Sequence, residues 1–377
     1  MRITELEPIL VSLGEWRNYI FVKVHTDEDI VGIGEAGFSG RAETVAKAIK
    51  EHERYLKGKD PRDIERHFQD MYRNTFFRGG PILMASISAI DIALWDILGK
   101  LYDTPVYRLL GGKCRDRVRV YVHLRGETPE ELAEDASDKV KEGFTAVRFA
   151  PFVKGFEKMR HSRIIEIAVS QVKAVREAVG EDVDICLDVH GRLSPYQAIA
   201  MARELEPYRI FFYEDPILPE NIDAMAQVAR HINLPIATGE RLYTIYEFRK
   251  LINREAVHMV RPDLCLAGGI SQCRKIAALA EASYVGVVPH CPLSGVAIAA
   301  SVHFAASIHN FTLQEYVPFR AEDPIVKTRV KLVRGYLEIP ERPGLGVELD
   351  ESLLSKSSFR PFDLPTLERE DGSVADW

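Results

Sequence analysis

Cysteine is scarce in this chain. Its 377 residues hold five (Cys114, Cys186, Cys265, Cys273 and Cys291), an odd number with no CxxC pair. A disulfide framework or a zinc knuckle is therefore not expected, and a reducing cytoplasm fits best. Positive charge is not in surplus either. A net charge of −7 and a pI near 5.9 argue against a nucleic-acid footprint. An anionic substrate would need cations placed locally rather than a global field. No apolar run reaches the roughly 18 residues of a membrane span. The N-terminus, MRITELEPILVSLGEW, alternates like a strand and carries Glu5 and Glu7, so it does not read as a signal peptide. There is no low-complexity tract and no obvious linker.

What is present is an orderly alternation. Residues 3–12 and 19–25 read as a strand pair joined through GEWRN, with VGIGEA (31–36) as a third strand. Helical periodicity follows over 42–57, in PRDIERHFQDMYRNTF opened by Pro61, and in SISAIDIALWDILGKLY from Ser86, where Trp95 and Tyr102 read as core. A sheet followed by helices indicates an α+β domain over residues 1–115.

Strand and helix then alternate. Eight strands are predicted at 118–124, 145–151, 184–190, 209–216, 234–241, 257–263, 284–291 and 311–316. That is an α/β architecture, a (β/α)7β TIM-type barrel over 116–325. A Pro- and Gly-containing tail, 326–377, is expected to return to the first domain and complete a cap.

The fourth and fifth of these strands, like the third, carry an acid near the C-terminal end: Asp188, Glu214 and Glu240, each 26 residues from the next (188 to 214, 214 to 240). In a parallel barrel those ends form the functional face. Three carboxylates at one mouth repel one another unless a hard cation sits between them, and all-oxygen ligation suits Mg²⁺, with Mn²⁺ as the alternative, one ion per subunit. His190, two residues beyond Asp188, is predicted on the same strand face, a proton donor beside whatever the metal holds. His290 and Asp263 end neighbouring strands and can pair, the carboxylate fixing the imidazole tautomer. Glu315 ends the eighth strand and, if protonated, can donate a hydrogen bond to a developing oxyanion. Asp215 and Arg241 point the other way, and Cys291 reads as packing.

At these residues the chain resembles the mandelate racemase subgroup of the enolase superfamily, and within it the acid-sugar dehydratases. The similar stretches run the whole length: FRGGPILMASISAIDIALWDILGK, DVHGR, ELEPYR, EDP, GER, RPDLCLAGGI, PHCPLSG, LQEY, PGLGVELDE and EDGSVADW. The resemblance implies metal ligation by Asp188, Glu214 and Glu240, with His290 as base and Asp263 as its partner. It implies that His190 protonates the departing 3-hydroxyl and that Glu315 is the electrophilic donor. The implied substrate is a small-molecule aldonic acid, galactonate first and gluconate, mannonate or arabinonate behind it, and the implied assembly is a homo-oligomer.

The chain also departs from the subgroup. Where many members end the second strand with Lys-x-Lys, this one has Arg148-Phe149-Ala150, so a two-base racemisation through a strand-two lysine is not expected. Arg148 can still bind a substrate oxygen or carboxylate. The divergent PFVKGFEKMRHSR (151–163) is a candidate substrate-facing loop, and GEWRN a candidate lid in which Arg17 or Trp16 would touch a polyol tail. An epimerase using His190 and His290 is the alternative within enzymes; a metal-binding barrel without turnover is the alternative outside them. An amidohydrolase-type site is disfavoured because no His-x-His ends the first barrel strand.

Overall fold

The computed structural model describes residues 1–14, 17–37 and 39–376; Trp16 lies outside the described residues. At the N-terminus, β1 (Ile3–Ser12), β2 (Asn18–Thr26) and β3 (Val31–Ala36) form an antiparallel sheet in that order. Helices α1 (Ala42–Leu56), α2 (Ile64–Arg73) and α3 (Pro81–Leu101) follow it. Glycine sets how closely α3 approaches the sheet: a Cβ at Gly34 would collide with the Ala89 carbonyl oxygen, and one at Gly32 with that of Ala93.

The absence of any membrane-length apolar segment needs correcting. Helix α3 has a window of mean hydropathy 1.7, long and apolar enough to cross a membrane, but 78% of that window is buried inside the protein. Its Asp91 and Asp96 explain why it stays there. Asp96 accepts from the backbone N–H of Ile33 at 2.9 Å and of Leu345 at 2.8 Å, and Asp91 accepts from that of Ser271 at 3.0 Å. The helix ties the cap to the barrel and to the tail.

After a short α4 (Val106–Leu109), the barrel strands are β4 (Arg117–His123), β5 (Ala146–Phe149), β6 (Asp184–Asp188), β7 (Phe212–Glu214), β8 (Ile236–Thr238), β9 (Met259–Val260), β10 (Gly286–Val287) and β11 (Gln314–Tyr316). Each pairs in parallel with the next from β4 to β10, β11 pairs with β4, and a parallel bridge between Val287 and Phe311 closes the ring. Seven helices fill the crossovers: α5 (Pro129–Lys141), α6 (His161–Val179), α7 (Pro195–Leu205), α8 (Ile222–His231), α9 (Ile245–Asn253), α10 (Gly269–Glu281) and α11 (Gly295–Ser307). Their starts are written in the sequence. Thr128 with Glu131 and Thr244 with Glu247 form capping boxes that satisfy the free N–H groups of α5 and α9. The expected (β/α)7β barrel with a separate cap is what the chain forms.

Inside the barrel, one buried layer takes one residue from each strand segment: Tyr121, Ala146, Cys186, Phe212, Ala237, Met259, Val288 and Leu313. Large and small side chains share the space, as close packing of a barrel interior requires.

The tail serves both units. Its Tyr336–Glu338 strand adds antiparallel to the start of β4. Further on, Phe359 packs on the cap core, and the Arg360 carbonyl accepts from the Ser12 hydroxyl at 3.1 Å and the Asn18 amide at 2.9 Å.

His303 on α11 joins three of these parts. Its Nδ1 accepts the Tyr107 N–H at 3.3 Å and its Nε2 faces the Leu345 carbonyl at 3.1 Å, which fixes a neutral tautomer. Burial pushes its pKa down to about 4. A depressed folded-state value means stability that is present above the unfolded value near 6.5 and lost as pH falls toward 4. The increment is about 3 kcal/mol. Urea unfolding at pH 7.5 and pH 4 should show the wild type losing about that much more than His303→Gln; matching losses in the two proteins would rule it out.

Candidate active site

Side chains two residues apart on a strand share a face. Two residues on from each member of the interior layer stand His123, Arg148, Asp188, Glu214, Gly239, Arg261, His290 and Glu315. Seven of these eight are ionisable or charged. The barrel therefore changes within one step from an apolar plug to a ring of charge at its C-terminal mouth. Gly239 is the exception, and its φ of +134° turns the chain so that Glu240 enters the ring instead.

The acids sit close together. Asp188 and Glu214 are register partners on β6 and β7. The Arg261 Nη2 lies 2.7 Å from Glu214, 3.3 Å from Glu315 and 3.9 Å from Glu240. Arg148 pairs with Asp188 and approaches Glu214 at 3.8 Å. Both Glu214 oxygens are buried without an aligned hydrogen-bond donor, so the Arg261 contact is one of charge, and burial raises the Glu214 pKa.

Such orphaned, all-oxygen donors fit a hard cation chemically. As the side chains stand, however, no three His, Cys, Asp or Glu groups among the described residues converge tightly enough to enclose one. The two guanidinium groups lie against Asp188 and Glu214, while Glu240 leans toward His290. The three expected ligands share one mouth but do not yet point at one spot.

The histidines flank this cluster. β6 and β10 are the third and seventh of eight strands in the ring, on opposite walls. His290 Nδ1 is 2.7 Å from Asp263 Oδ2, and Asp263 Oδ1 accepts the Cys265 N–H at 2.6 Å. The pair predicted from sequence is therefore formed, and it leaves His290 Nε2 facing Glu240 at 3.5 Å. Burial opposes a charge on His290, but Glu240, Glu315 and Asp263 outweigh it and push its pKa up to about 9.

His190 reaches the same cavity by a different route from the one expected. β6 ends at Asp188, and His190 has a φ of +56°, so a turn rather than strand alternation delivers it. Its N–H donates to Asp188 Oδ1 at 2.8 Å. Burial, helped by Arg192, Arg241 and Arg148, lowers its pKa to about 4.

Glu315 differs from the expectation. One oxygen is 2.8 Å from His123 Nε2 and the other accepts the Cys291 N–H at 2.8 Å. Arg148 Nη1, a donor only, faces His123 Nδ1 at 3.3 Å, so His123 carries its proton on Nε2 and donates it to Glu315. Although burial works the other way, His290, His123 and Arg261 hold Glu315 well below the usual carboxylate range. It accepts hydrogen bonds here and has no proton to give.

A cavity of about 620 Å³ opens above the ring, lined by Arg148, His190, Glu240, His290 and Glu315 together with Asn18, Arg41 and Arg320. Arg17 is not in its lining. It lies one residue before β2, out of phase with Asn18, and is drawn to the Leu13 carbonyl and to Asp323 at 3.4 Å. The 151–163 segment does not line the cavity either: Phe152 and Phe156 pack on the Arg192 guanidinium, their centroids 5.2 and 4.8 Å away. His123, Arg261 and Arg320 escaped the sequence reading. For the first two the signal was there, since both lie in phase with the barrel interior.

Comparison with known proteins agrees with this architecture. Residues 2–111 match the mandelate racemase / muconate lactonizing enzyme N-terminal domain, and residues 131–353 the enolase C-terminal domain-like family. The D-galactonate dehydratase of Ralstonia pickettii (strain 12J) is 41% identical over 95% of this chain and 96% of that protein. That of Variovorax paradoxus (strain S110) is 40% identical over the full length of both. An Agrobacterium radiobacter enolase with bound Na and L-malate superposes with a TM-score of 0.93 at 32% identity, covering all of both chains. A mandelate racemase/muconate lactonizing enzyme from Jannaschia sp. CCS1 gives 0.90 at 32%, covering 96% of this chain and 98% of that one. With cap, closed barrel and charged ring in place, the chain belongs to the mandelate racemase group of the enolase superfamily, among its hydro-lyases that dehydrate acid sugars.

Proposed function

We propose that this enzyme removes water from an aldonic acid of the galactonate type, with Mg²⁺, or Mn²⁺ in its place, held by Asp188, Glu214 and Glu240. The ion would supply the positive charge that makes a carbon acid next to a carboxylate strong enough to ionise near neutral pH. Bound there, it would also offset the carboxylate field that pushes the His290 pKa up, leaving that imidazole to act as a neutral base.

The protein's own groups do the rest. Asp263 holds His290 with Nε2 toward the cavity, and that nitrogen takes the α-proton. Arg148 faces the negative charge that spreads onto the carboxylate oxygens, a part that Glu315, accepting on both oxygens, is not set up to play. His190, on the opposite wall, protonates the departing 3-hydroxyl. An anionic substrate beside it would offset the burial, and the three arginines, that keep it neutral. The α C–H and C3–O bonds break, a C=C bond forms and water leaves. The enol then tautomerises to a 2-keto-3-deoxy acid. The observation that carries this reading is the placement of two imidazoles on opposite walls around one acidic cluster.

That placement also suits an epimerase, and one experiment separates the two. Purified enzyme with Mg²⁺ in D₂O is offered a panel of aldonic and aldaric acids, and 2-keto product is measured. Keto acid is expected; α-deuteration with inversion and no keto acid would overturn the dehydratase reading. We further infer a cytoplasmic homo-oligomer acting on small molecules, with neither nucleic acid nor membrane as partner.

A further inference from the structure

Between β10 and α11, residues 290–294 form neither strand nor helix. Such a segment is fixed by the groups that hold it from outside. Asp263 holds the His290 ring at 2.7 Å and Glu315 the Cys291 N–H at 2.8 Å. Arg320, on the short helix α12 (Pro318–Ala321) after β11, donates to the Pro292 carbonyl at 2.5 Å. These three side chains all come from the ends of barrel strands or the segments just beyond them. The fourth anchor does not: Ser294 is held by Glu35, which belongs to β3 of the cap.

Glu35 is fully buried, and both of its oxygens are engaged there. One accepts the Ser294 hydroxyl at 2.6 Å and the Ala297 N–H at 3.0 Å; the other accepts the Ser294 N–H at 3.2 Å. The Ser294 hydroxyl oxygen in turn accepts the Val296 N–H at 3.1 Å. The two residues together satisfy opening N–H groups of α11, a favourable place for a carboxylate. Burial pushes the Glu35 pKa up to about 7, and these same donors are the main opposing pull.

The strand that carries Glu35 has little room to move. It pairs with β2 opposite Phe21, and the adjacent Gly34 lies so close to α3 that a Cβ would meet the Ala89 carbonyl oxygen. A packed path thus runs from α3 through β3 and Glu35 to Ser294, four residues from His290. Glu35 is not in the cavity lining, so it touches nothing bound there directly. A buried polar network with its bonds made rigidifies what it joins.

We propose that Glu35 is a positioning residue for the base: by gripping Ser294 it lets the seated cap fix the direction in which His290 Nε2 points. This rests on the reading of His290 as the base given above. A misplacement of about 1 Å costs on the order of 10²-fold in rate, so loss of the grip should show in proton removal rather than in substrate binding.

The test compares Glu35→Leu, which removes all three bonds, with Glu35→Gln, whose amide oxygen can still accept from the Ser294 hydroxyl and the Ala297 N–H. The substrate is the acid turned over best in the panel above, and α-proton exchange in D₂O is measured. Glu35→Leu should lower kcat for exchange about tenfold or more with KM within about threefold of the wild type, and Glu35→Gln should recover most of that loss. A second readout needs no substrate: the rate at which diethyl pyrocarbonate modifies His290 relative to His190 on the opposite wall, read by peptide mass spectrometry. That ratio should shift by about threefold or more in Glu35→Leu, because only His290 is released, whereas general loosening would change both histidines alike. Should Glu35→Leu fail to fold, Ser294→Ala breaks the grip from the barrel side and carries the same expectations. Exchange unchanged in Glu35→Leu, a modification ratio that does not move, or equal kcat losses in Glu35→Leu and Glu35→Gln overturns the proposal. If no acid reacts with the wild type, the dehydratase reading fails instead, and the modification ratio alone decides the part played by Glu35.

Discussion

His290→Ala is expected to stop both α-proton exchange in D₂O and formation of keto acid, lowering kcat/KM by about 10³-fold or more. The reason is geometric. Asp263 holds Nδ1 at 2.7 Å, so Nε2 is the nitrogen a fixed ring turns to the cavity, 3.5 Å from Glu240, while His190 approaches that carboxylate from the opposite wall at 3.9 Å. His190→Ala should give a different pattern. Elimination falls by a comparable factor, because a hydroxide is a poor leaving group without a proton donor, yet the α-proton of bound substrate still exchanges with solvent deuterium. Exchange followed by mass spectrometry and keto acid followed by semicarbazone formation report the two steps separately. Loss of exchange and elimination to the same extent in both variants would refute the division of labour. Asp263→Asn offers a milder check: the ring keeps a hydrogen-bond partner but loses the carboxylate that makes it basic, so both steps should slow together.

The fold was largely readable from the sequence because its signals repeat. Eight strand segments alternating with amphipathic helices overdetermine a barrel, and the strict spacing of Asp188, Glu214 and Glu240 marked its working end. What escaped was finer. Arg261 sits within an apolar run, VHMVRPD, where a buried arginine is not expected until its carboxylate partners are known to lie across the barrel. His123 is likewise in phase with the barrel interior, but only its contact with Glu315 shows why it matters. For Asp188 and His190, strand alternation gave the right neighbourhood for the wrong reason, because the strand ends first and His190 takes a left-handed turn. Arg17 and Asn18 show the opposite failure. A loop carries no periodicity, so which of two adjacent polar residues faces the cavity was set by Asp323, more than 300 positions away in the chain. The protonation of Glu315 depends on three donors from three other segments, and no local pattern encodes it.

Removing divalent ions should have an effect as large as losing the base. After treatment with EDTA, turnover is expected to fall below about 1% and to return with Mg²⁺ or Mn²⁺, because ionising the α-proton and restoring a neutral His290 both depend on positive charge delivered to the acid cluster. A readout independent of turnover comes from the cluster itself. Glu214 is fully buried, and its pKa is raised by burial against the opposing pull of Arg261 and Arg148, so ionising it costs stability that a bound cation recovers. A cation that binds only the folded protein, present at 100 times its dissociation constant, stabilises it by about 2.7 kcal/mol. Mg²⁺ should therefore raise the melting temperature of the wild type, and Glu214→Gln, which keeps the shape but removes the charge, should lose most of that rise. Arg148 enters as a competitor, since it pairs with Asp188 in the space the ion would share. Arg148→Met should tighten Mg²⁺ binding in calorimetry even as it slows catalysis. Unchanged turnover after chelation, or an identical Mg²⁺-induced melting shift in Glu214→Gln, would show that the acids balance the arginines and hold no metal.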